Sequence, residues 1–331
     1  MTSPVSFGVV IPAYNAERYL ERSLGSVARQ TYAPARVMVV DDESQDGSAE
    51  RALALGAEVL RRPHGGPARA RNAGVAALET DWIAFLDADD AWRPQTLERF
   101  ATAIGCCPDV RVVFGDYDVD EPRAPIASWF ARDAAYASIA RRPVSPGIVR
   151  CDRQMLVAAL VRSLAFVSTS SLAVRRDAFV GIGGFDEGLI VAEDLDLLLR
   201  LFTQSTAAVV EEVLSTYHLH GDNLSKDAGV NAEWELRVLE RVRERPDRYP
   251  APAATLLTRE RPVRLARAGT YALRGGRFGE ARRCFALSWS AGASFAAAGG
   301  MTLAALCDNA IGRIGHRALR AAWRSTRTAP E

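Results

Sequence analysis

The chain has 331 residues, 48% of them hydrophobic, with Lys+Arg 41 against Asp+Glu 40 and a formal net charge of +1. That is the composition of a globular protein of one large or two modest domains, and it excludes both a disordered chain and nucleic-acid binding by bulk charge. The near-neutrality is a sum of unlike parts: residues 1–230 hold 23 basic and 31 acidic side chains and residues 231–331 hold 18 and 9, a split of −8 and +9 that implies different partners.

In chain order, Phe7–Ile11 reads as a strand ended by Pro12, and Leu20, Leu24 and Val27 recur at helical spacing. A second β-branched run, Val37–Val40, ends in an acidic cluster. Ala49–Leu55 reads as helix, Glu58–Leu60 as strand, Arg69–Leu78 as helix, and Trp82–Leu86 as a buried strand that again ends in carboxylates. Thr96–Ile104 is a helix and Val110–Phe114 a strand. Between Asp116 and Arg150 the pattern dissolves, and a loop of that length predicts a lid or a binding element. A helix near Asp152–Arg162, a strand near Val167–Val174, a helix over Glu193–Thr203 and a strand over Ala207–Val213 follow. From Asn231 onward only helical patterns occur, with the boundary somewhere within Asp222–Glu233, which divides the chain into residues 1–228 and 229–331. The fold class predicted is α/β, a mostly parallel sheet flanked by helices, with an α-helical C-terminal appendage. Ligands then belong beyond the carboxyl ends of the strands, where the polar clusters fall.

Three acidic clusters stand out. In Val40-Asp41-Asp42-Glu43-Ser44 a strand-end carboxylate can accept a hydrogen bond from a nucleobase or a ribose hydroxyl. In Phe85-Leu86-Asp87-Ala88-Asp89-Asp90, continued extended backbone would turn Asp87 and Asp89 to one side. Two converging carboxylates need a cation, and Mg²⁺ or Mn²⁺ takes one or two carboxylates together with phosphates. In Ala192-Glu193-Asp194-Leu195-Asp196 the apolar stripe that follows puts Glu193 and Asp194 at a helix N-terminus, where the dipole should hold the Asp194 pKa low. Each cluster alone reads more readily as a polar strand-end turn or a helix cap. His64-Gly65-Gly66-Pro67 leads into Arg69 and Arg71, which suit a phosphate or base. No Walker A loop and no G-x-G-x-x-G is present. His218 and His220 alternate, so one at most is expected at a shared site.

In this order and spacing, with Val10-Ile11-Pro12-Ala13-Tyr14-Asn15, Ala70-Arg71-Asn72-Ala73-Gly74 and Gly183-Gly184-Phe185-Asp186-Glu187, the clusters resemble those of family 2 glycosyltransferases of the GT-A fold over roughly residues 5–225. The resemblance implies that Pro12, Tyr14 and Asp42 line the nucleobase and ribose pocket, that Arg71 belongs to the nucleotide pocket, and that Asp87 and Asp89 form the D-x-D element. Asp89 would be the firmer ligand to Mg²⁺ or Mn²⁺, with Asp87 beside it, and His220 would close the donor site within Tyr217 to Ser225. Asp194 matches the general base of inverting members, and Glu193 its neighbour. The implied reaction moves a sugar from a nucleotide-diphosphate donor, a UDP-sugar, to a hydroxyl of an acceptor glycan, lipid-linked sugar or small molecule in bacterial polysaccharide or glycoconjugate assembly. Competing readings are a non-catalytic nucleotide-sugar binder and a sugar nucleotidyltransferase.

Five cysteines without C-x-x-C spacing, and no signal-like run in Met1 to Val10, point to a cytoplasmic protein. Cys284 to Cys307 carry no charge but are dominated by Ala, Gly and Ser, so the run is not read as a membrane span. Beyond it, Arg313, Arg317, Arg320, Arg324 and Arg327 recur at spacings of three or four opposite Ile314, Leu319 and Trp323. Two readings of this second part of the chain stand: a helical appendage that packs on the first part, and, from the arginine face, a peripheral contact at the inner face of the membrane.

Overall fold

A computed structural model describes residues 4–121, 124–163, 166–202, 204–224, 228–249 and 251–292. The chain forms two compact units. The first runs to Lys226 and regains Asp247–Ala253 from further along the chain; the second takes Asp227–Pro246 and the residues from Ala254 on.

The first unit opens with β1 (Phe7–Ala13), α1 (Glu17–Ala28), β2 (Arg36–Asp41), α2 (Ser48–Ala54), β3 (Glu58–Arg61), α3 (Pro67–Ala76) and β4 (Trp82–Phe85). Next come β5 (Ala91–Trp92), α4 (Thr96–Cys106), β6 (Val112–Asp120), α5 (Trp129–Arg132), α6 (Ala134–Ala137), β7 (Arg141–Ser145) and β8 (Ile148–Cys151). It closes with α7 (Arg153–Arg162), β9 (Leu172–Arg175), α8 (Arg176–Gly181), α9 (Glu193–Leu201) and β10 (Ala207–His218). One sheet has the order β3-β2-β1-β4-β9-β6-β10-β8-β7, with β5 beside β10.

Strands β1 to β4 are parallel because each is joined to the next by a helix that returns the chain across the sheet. Strand β9 enters antiparallel between β4 and β6, which therefore run the same way, and β10 is parallel to β6. The register is continuous across this junction: Phe85 pairs with Leu172, and Leu172 with Phe114. The carboxyl ends of β1, β2, β4, β6 and β10 thus share one edge.

The inner strands β1, β2 and β4 are buried on both faces where their apolar runs lie: Val9, Val10, Ile11, Val39, Val40, Ile83 and Phe85 are fully buried. Helix α3 lies close to this sheet because Gly74 lets it. A Cβ there would come within 2.6 Å of Val10 and 3.0 Å of Val40.

The segment expected to be a loop from Asp116 to Arg150 is largely ordered structure. Strand β6 runs on to Asp120, two single-turn helices follow, and the β7–β8 hairpin extends the sheet. Arg141, Arg142 and Pro143 disguise this edge strand, since charge and proline are tolerated where one side of a strand lacks a neighbour.

The second unit is built from α10 (Ala228–Glu244), α11 (Ala251–Arg274), whose first residues belong to the first unit, and α12 (Phe278–Ser290). Ala272, Ala281 and Phe285 form a small core, and Arg264 bonds Glu235 in a buried ion pair of 2.8 Å. No helix among the described residues is long and apolar enough to cross a membrane. The arginine-rich stretch 310–331 and most of Cys284 to Cys307 lie outside them.

Candidate active site

At the end of β1, Pro12 is half-buried while Tyr14 is 51% exposed, its ring tilted at 42° to that of His64 with centroids 4.5 Å apart. The pair offers an aromatic face of the kind a nucleobase stacks on. Behind it the Asp42 carboxylate is only 3% exposed and accepts the Gly65 and Gly66 amides at 3.1 and 2.7 Å, with His64 Nδ1 3.1 Å away. Asp42 therefore fixes the loop at the start of α3, and what it presents to a base is modulated by those donors. An open polar cleft of about 520 Å³ adjoins this region, lined by Asp41, Glu43, Gln45, Asp46, Arg61 and Arg62 among others.

The acidic run after β4 departs from expectation in one respect. Extended backbone ends at Phe85, and the Asp90 amide bonds back to the Asp87 carbonyl at 3.1 Å, so Asp87 and Asp89 flank a turn and do not alternate along a strand. Asp87 Oδ1 accepts from Arg71 at 2.6 Å; Asp89 Oδ2 lies 3.0 Å from His220 Nε2 and accepts from Asn223 at 3.1 Å. Burial and the neighbouring Asp87 charge raise the Asp89 pKa. Asp90, fully buried, accepts from Ser170 Oγ at 2.5 Å and the His218 amide at 3.1 Å, tying the turn to the start of β9 and the end of β10. His218 turns its ring toward Asp120, 3.7 Å away, so the two alternating histidines do face different partners.

Helix α9 is capped by the preceding Ala192, which holds a left-handed conformation (φ 62°, ψ 20°) that alanine adopts only under constraint. Glu193 and Asp194 follow. Glu193 Oε1 accepts from Arg71 at 2.7 Å, whereas Asp194, half-buried, accepts only its neighbour Leu195's amide at 2.7 Å and has no basic partner among the described residues. Burial and then the Glu193 charge push the Asp194 carboxyl up to about 7. This corrects the expectation that the dipole would hold it low: desolvation and a like charge outweigh it.

Arg71 is the hinge of this geometry. It is 4% exposed, bridges Asp87 to Glu193, and stacks over Phe185 at 5.3 Å. Rather than lying open to a phosphate, it is spent on joining the β4 turn to the start of α9. Its neighbour Asn72 was not singled out beforehand. It accepts the Phe185 amide and donates to the Phe185 carbonyl, both at 2.9 Å, and so fixes the Gly183-Gly184-Phe185 loop. Ser170 and Tyr19 were also missed, because nothing in their local sequence marks them.

Among the described residues no three His, Cys, Asp or Glu side chains converge as a ready metal group. Asp89 and His220 still suit one. His220 Nδ1 lies 3.2 Å from the Asp222 amide and 3.1 Å from Tyr19 Oη; a cation at Nε2 requires the ring proton on Nδ1, where Tyr19 Oη can accept it and the Asp222 amide gives up its bond to the ring. The carboxylate–imidazole pair would supply part of a coordination shell, and diphosphate oxygens the rest.

The model of glycosyl transferase family 2 matches residues 8–179, just over half of the chain. The chain belongs to that family. It is 26% identical to the amylovoran biosynthesis glycosyltransferase AmsB of Erwinia amylovora over 70% of this chain and 76% of that one. An uncharacterized glycosyltransferase of Haemophilus influenzae is 25% identical, over 66% and 71%. The O-antigen biosynthesis protein RfbC of Myxococcus xanthus is 31% identical over 63% of this chain, which spans only 15% of it. Among solved structures, Staphylococcus aureus TarS residues 1–349 in complex with UDP-GlcNAc superimposes with a TM-score of 0.59 at 17% identity, covering 97% of this chain and 92% of that one. The mannosyltransferase PcManGT of Pyrobaculum calidifontis, in complex with GDP-Man and Mn²⁺, gives 0.56 at 19%, covering 97% and 84%. The fold of this family 2 glycosyltransferase is accordingly GT-A-like.

Proposed function

We propose that this glycosyltransferase moves a sugar, with inversion, from a nucleoside-diphosphate donor, a UDP-sugar, to a hydroxyl of a glycan, lipid-linked or small-molecule acceptor in bacterial polysaccharide or glycoconjugate assembly. The observation that carries the reading is Asp194: a half-buried carboxylate with no basic partner among the described residues, raised to about 7, at the start of a helix clamped through Arg71 to the Asp87–Asp89 turn. The polysaccharide assignment is supported by the names of AmsB and RfbC, and the donor class by the complexes of TarS and PcManGT.

In this reading the donor's base stacks on Tyr14 beside Asp42 and Pro12, and its diphosphate reaches the Asp87–Asp89 turn. Asp89 and His220, with Asp87, would hold Mg²⁺ or Mn²⁺, which when bound supplies positive charge to the diphosphate as it departs. Asp194 accepts the proton of the acceptor hydroxyl as its oxygen forms the new bond to the anomeric carbon. The bond from that carbon to the diphosphate oxygen breaks on the opposite face, which inverts the centre. A base with a pKa near the working pH combines availability with driving force better than an ordinary aspartate does. Glu193 holds Asp194 in register through Arg71.

Product analysis tests the reading: release of nucleoside diphosphate with an inverted glycoside is expected. Pyrophosphate release would instead show nucleotidyl transfer, and nucleotide binding without turnover on any acceptor would show a binder.

A further inference from the structure

Tyr19, on α1, lies against the segment that follows β10. Its ring stacks on that of His220, with centroids 4.5 Å apart and planes 20° from parallel. Its hydroxyl lies 3.1 Å from His220 Nδ1 and donates to Asp222 Oδ2 at 3.2 Å. Asp222 is in turn paired with Arg18, one residue earlier on α1, whose guanidinium lies 4.6 Å from the centre of the Tyr19 ring. At the other edge of the imidazole, Nε2 meets Asp89 Oδ2 at 3.0 Å. Asn223 keeps the ring there: it donates to the same Asp89 oxygen at 3.1 Å and accepts the His220 amide at 2.5 Å. The first turn of α1 thus bounds the edge of His220 that faces away from Asp89.

The donors and acceptors along this row can be counted. A neutral imidazole carries one N–H and one lone pair, and a carboxylate only accepts. With Asp89 alone at Nε2, the ring proton sits on Nε2, and Nδ1 accepts from the Asp222 amide at 3.2 Å. With Nε2 given to a cation, the ring proton must sit on Nδ1, where the Asp222 amide becomes one donor facing another. Among the described residues the acceptor that Nδ1 then reaches is Tyr19 Oη, and it is free to accept because its own proton already goes to Asp222. A phenol can accept and donate at once, so one hydroxyl serves both states of the ring. Phenylalanine in its place would keep the stack and the packing of the ring against the core, and would lose that acceptor.

We propose that Tyr19 is a positioning residue for the divalent cation: its hydroxyl, relayed to Asp222, accepts the Nδ1 proton of His220 and holds the ring in the tautomer that turns a lone pair at Nε2 toward the metal. The inference rests on the reading in which Asp89 and His220 hold that cation. The exchange is balanced, since the ring gives up its proton at Nε2, holds one at Nδ1 and stays neutral. Arg18 and Asp222 complete the device by fixing where the Tyr19 proton points.

Two measurements on the full chain with UDP test this. The first is long-range ¹H–¹⁵N NMR of the imidazole nitrogens at pH 8, tractable because the chain has 4 histidines, with His220→Ala identifying the His220 signals. The proton is expected on Nε2 without metal and on Nδ1 once Mg²⁺ is added. The second is Mn²⁺ affinity by EPR titration, which Tyr19→Phe should weaken roughly tenfold or more while leaving metal-free UDP affinity within a factor of about two. In a His220→Ala background the same substitution should change Mn²⁺ affinity little, a dependence that a merely structural tyrosine would not show. Wild-type Mn²⁺ affinity in Tyr19→Phe, or a His220 that keeps its proton on Nε2 with Mg²⁺ bound, overturns the proposal and leaves nucleotide-sugar binding standing. No Mn²⁺ binding by the wild type with UDP would overturn the metal reading and this proposal together, and no UDP binding would overturn the nucleotide-sugar reading as well.

Discussion

Asp194 has a pH signature that a carboxylate of ordinary pKa lacks. As the proposed base it must be ionised to take a proton, so kcat/KM for transfer should rise about tenfold per pH unit below its pKa of about 7 and level off above it. Asp194→Asn should lower transfer by roughly 10²–10⁴-fold while leaving nucleotide affinity within a factor of about two. Stability should move in the opposite direction. A carboxyl whose folded pKa is raised binds its proton more tightly when folded, so stability falls as pH climbs from the unfolded value, about 3.9, to about 7. Asp194→Asn is thus expected to melt higher than wild type at pH 8, with the difference gone near pH 4; equal melting temperatures at pH 8 would count against the raised pKa. Asp89→Ala should instead remove the metal-dependent part of nucleotide binding, seen as loss of the extra thermal shift that Mn²⁺ adds to UDP. The identities of these carboxylates were legible in the sequence because their types and order are. Their environments were not, since the charge on Asp194 depends on Glu193, and Glu193 on an arginine more than a hundred residues away.

Among the elements, α3 does the most to assemble the site. Arg71 and Asn72 lie on one turn of it and reach three separate segments: the β4 turn, the start of α9 and the Gly183-Gly184-Phe185 loop. Removing the guanidinium leaves the buried Glu193 without its partner, so Arg71→Ala should destabilise the fold by roughly 3 kcal/mol in urea unfolding, with Arg71→Lys intermediate because an ammonium cannot span both carboxylates. Gly74→Ala, on the face of α3 that meets Val10 and Val40, should lose about 1–3 kcal/mol by overpacking. Strands β1, β2, β4 and the start of β6 could be read in advance because apolar runs buried on both faces have no other home, whereas the two-residue β5 is too short to leave a pattern. Strand β7 could not, since its Arg-Arg-Pro sequence takes its conformation from β8 alone, and the turn at Asp87–Asp90 was mistaken for continued strand because alternation says nothing of where a strand ends.

At the scale of the whole molecule the charge split remains the guide to what lies beyond the candidate site. The −8 portion carries the assigned site residues, which sharpens the need for a cation to accompany a diphosphate donor. The +9 portion contains none of them. Its arginine-rich terminus predicts that the full chain floats with vesicles containing anionic lipid and is released by salt, whereas a chain ending at residue 309 stays behind. Equal partitioning of the two would remove the membrane assignment.

The path of the backbone sets a limit on how such a protein can be rearranged. Tyr249, in the short stretch that rejoins the first unit after an intervening helix, donates its hydroxyl to Asp196 on α9, and Asp196 also pairs with Arg200. Helix α9, which carries Asp194, therefore takes support from residues well past the point where the family resemblance stops. A gene shortened at residue 228 would delete that support along with the appendage, and exchange of C-terminal regions between related enzymes should succeed only when the crossover falls after residue 253. The appendage is thus sewn into the enzyme by a stitch that recombination has to carry with it.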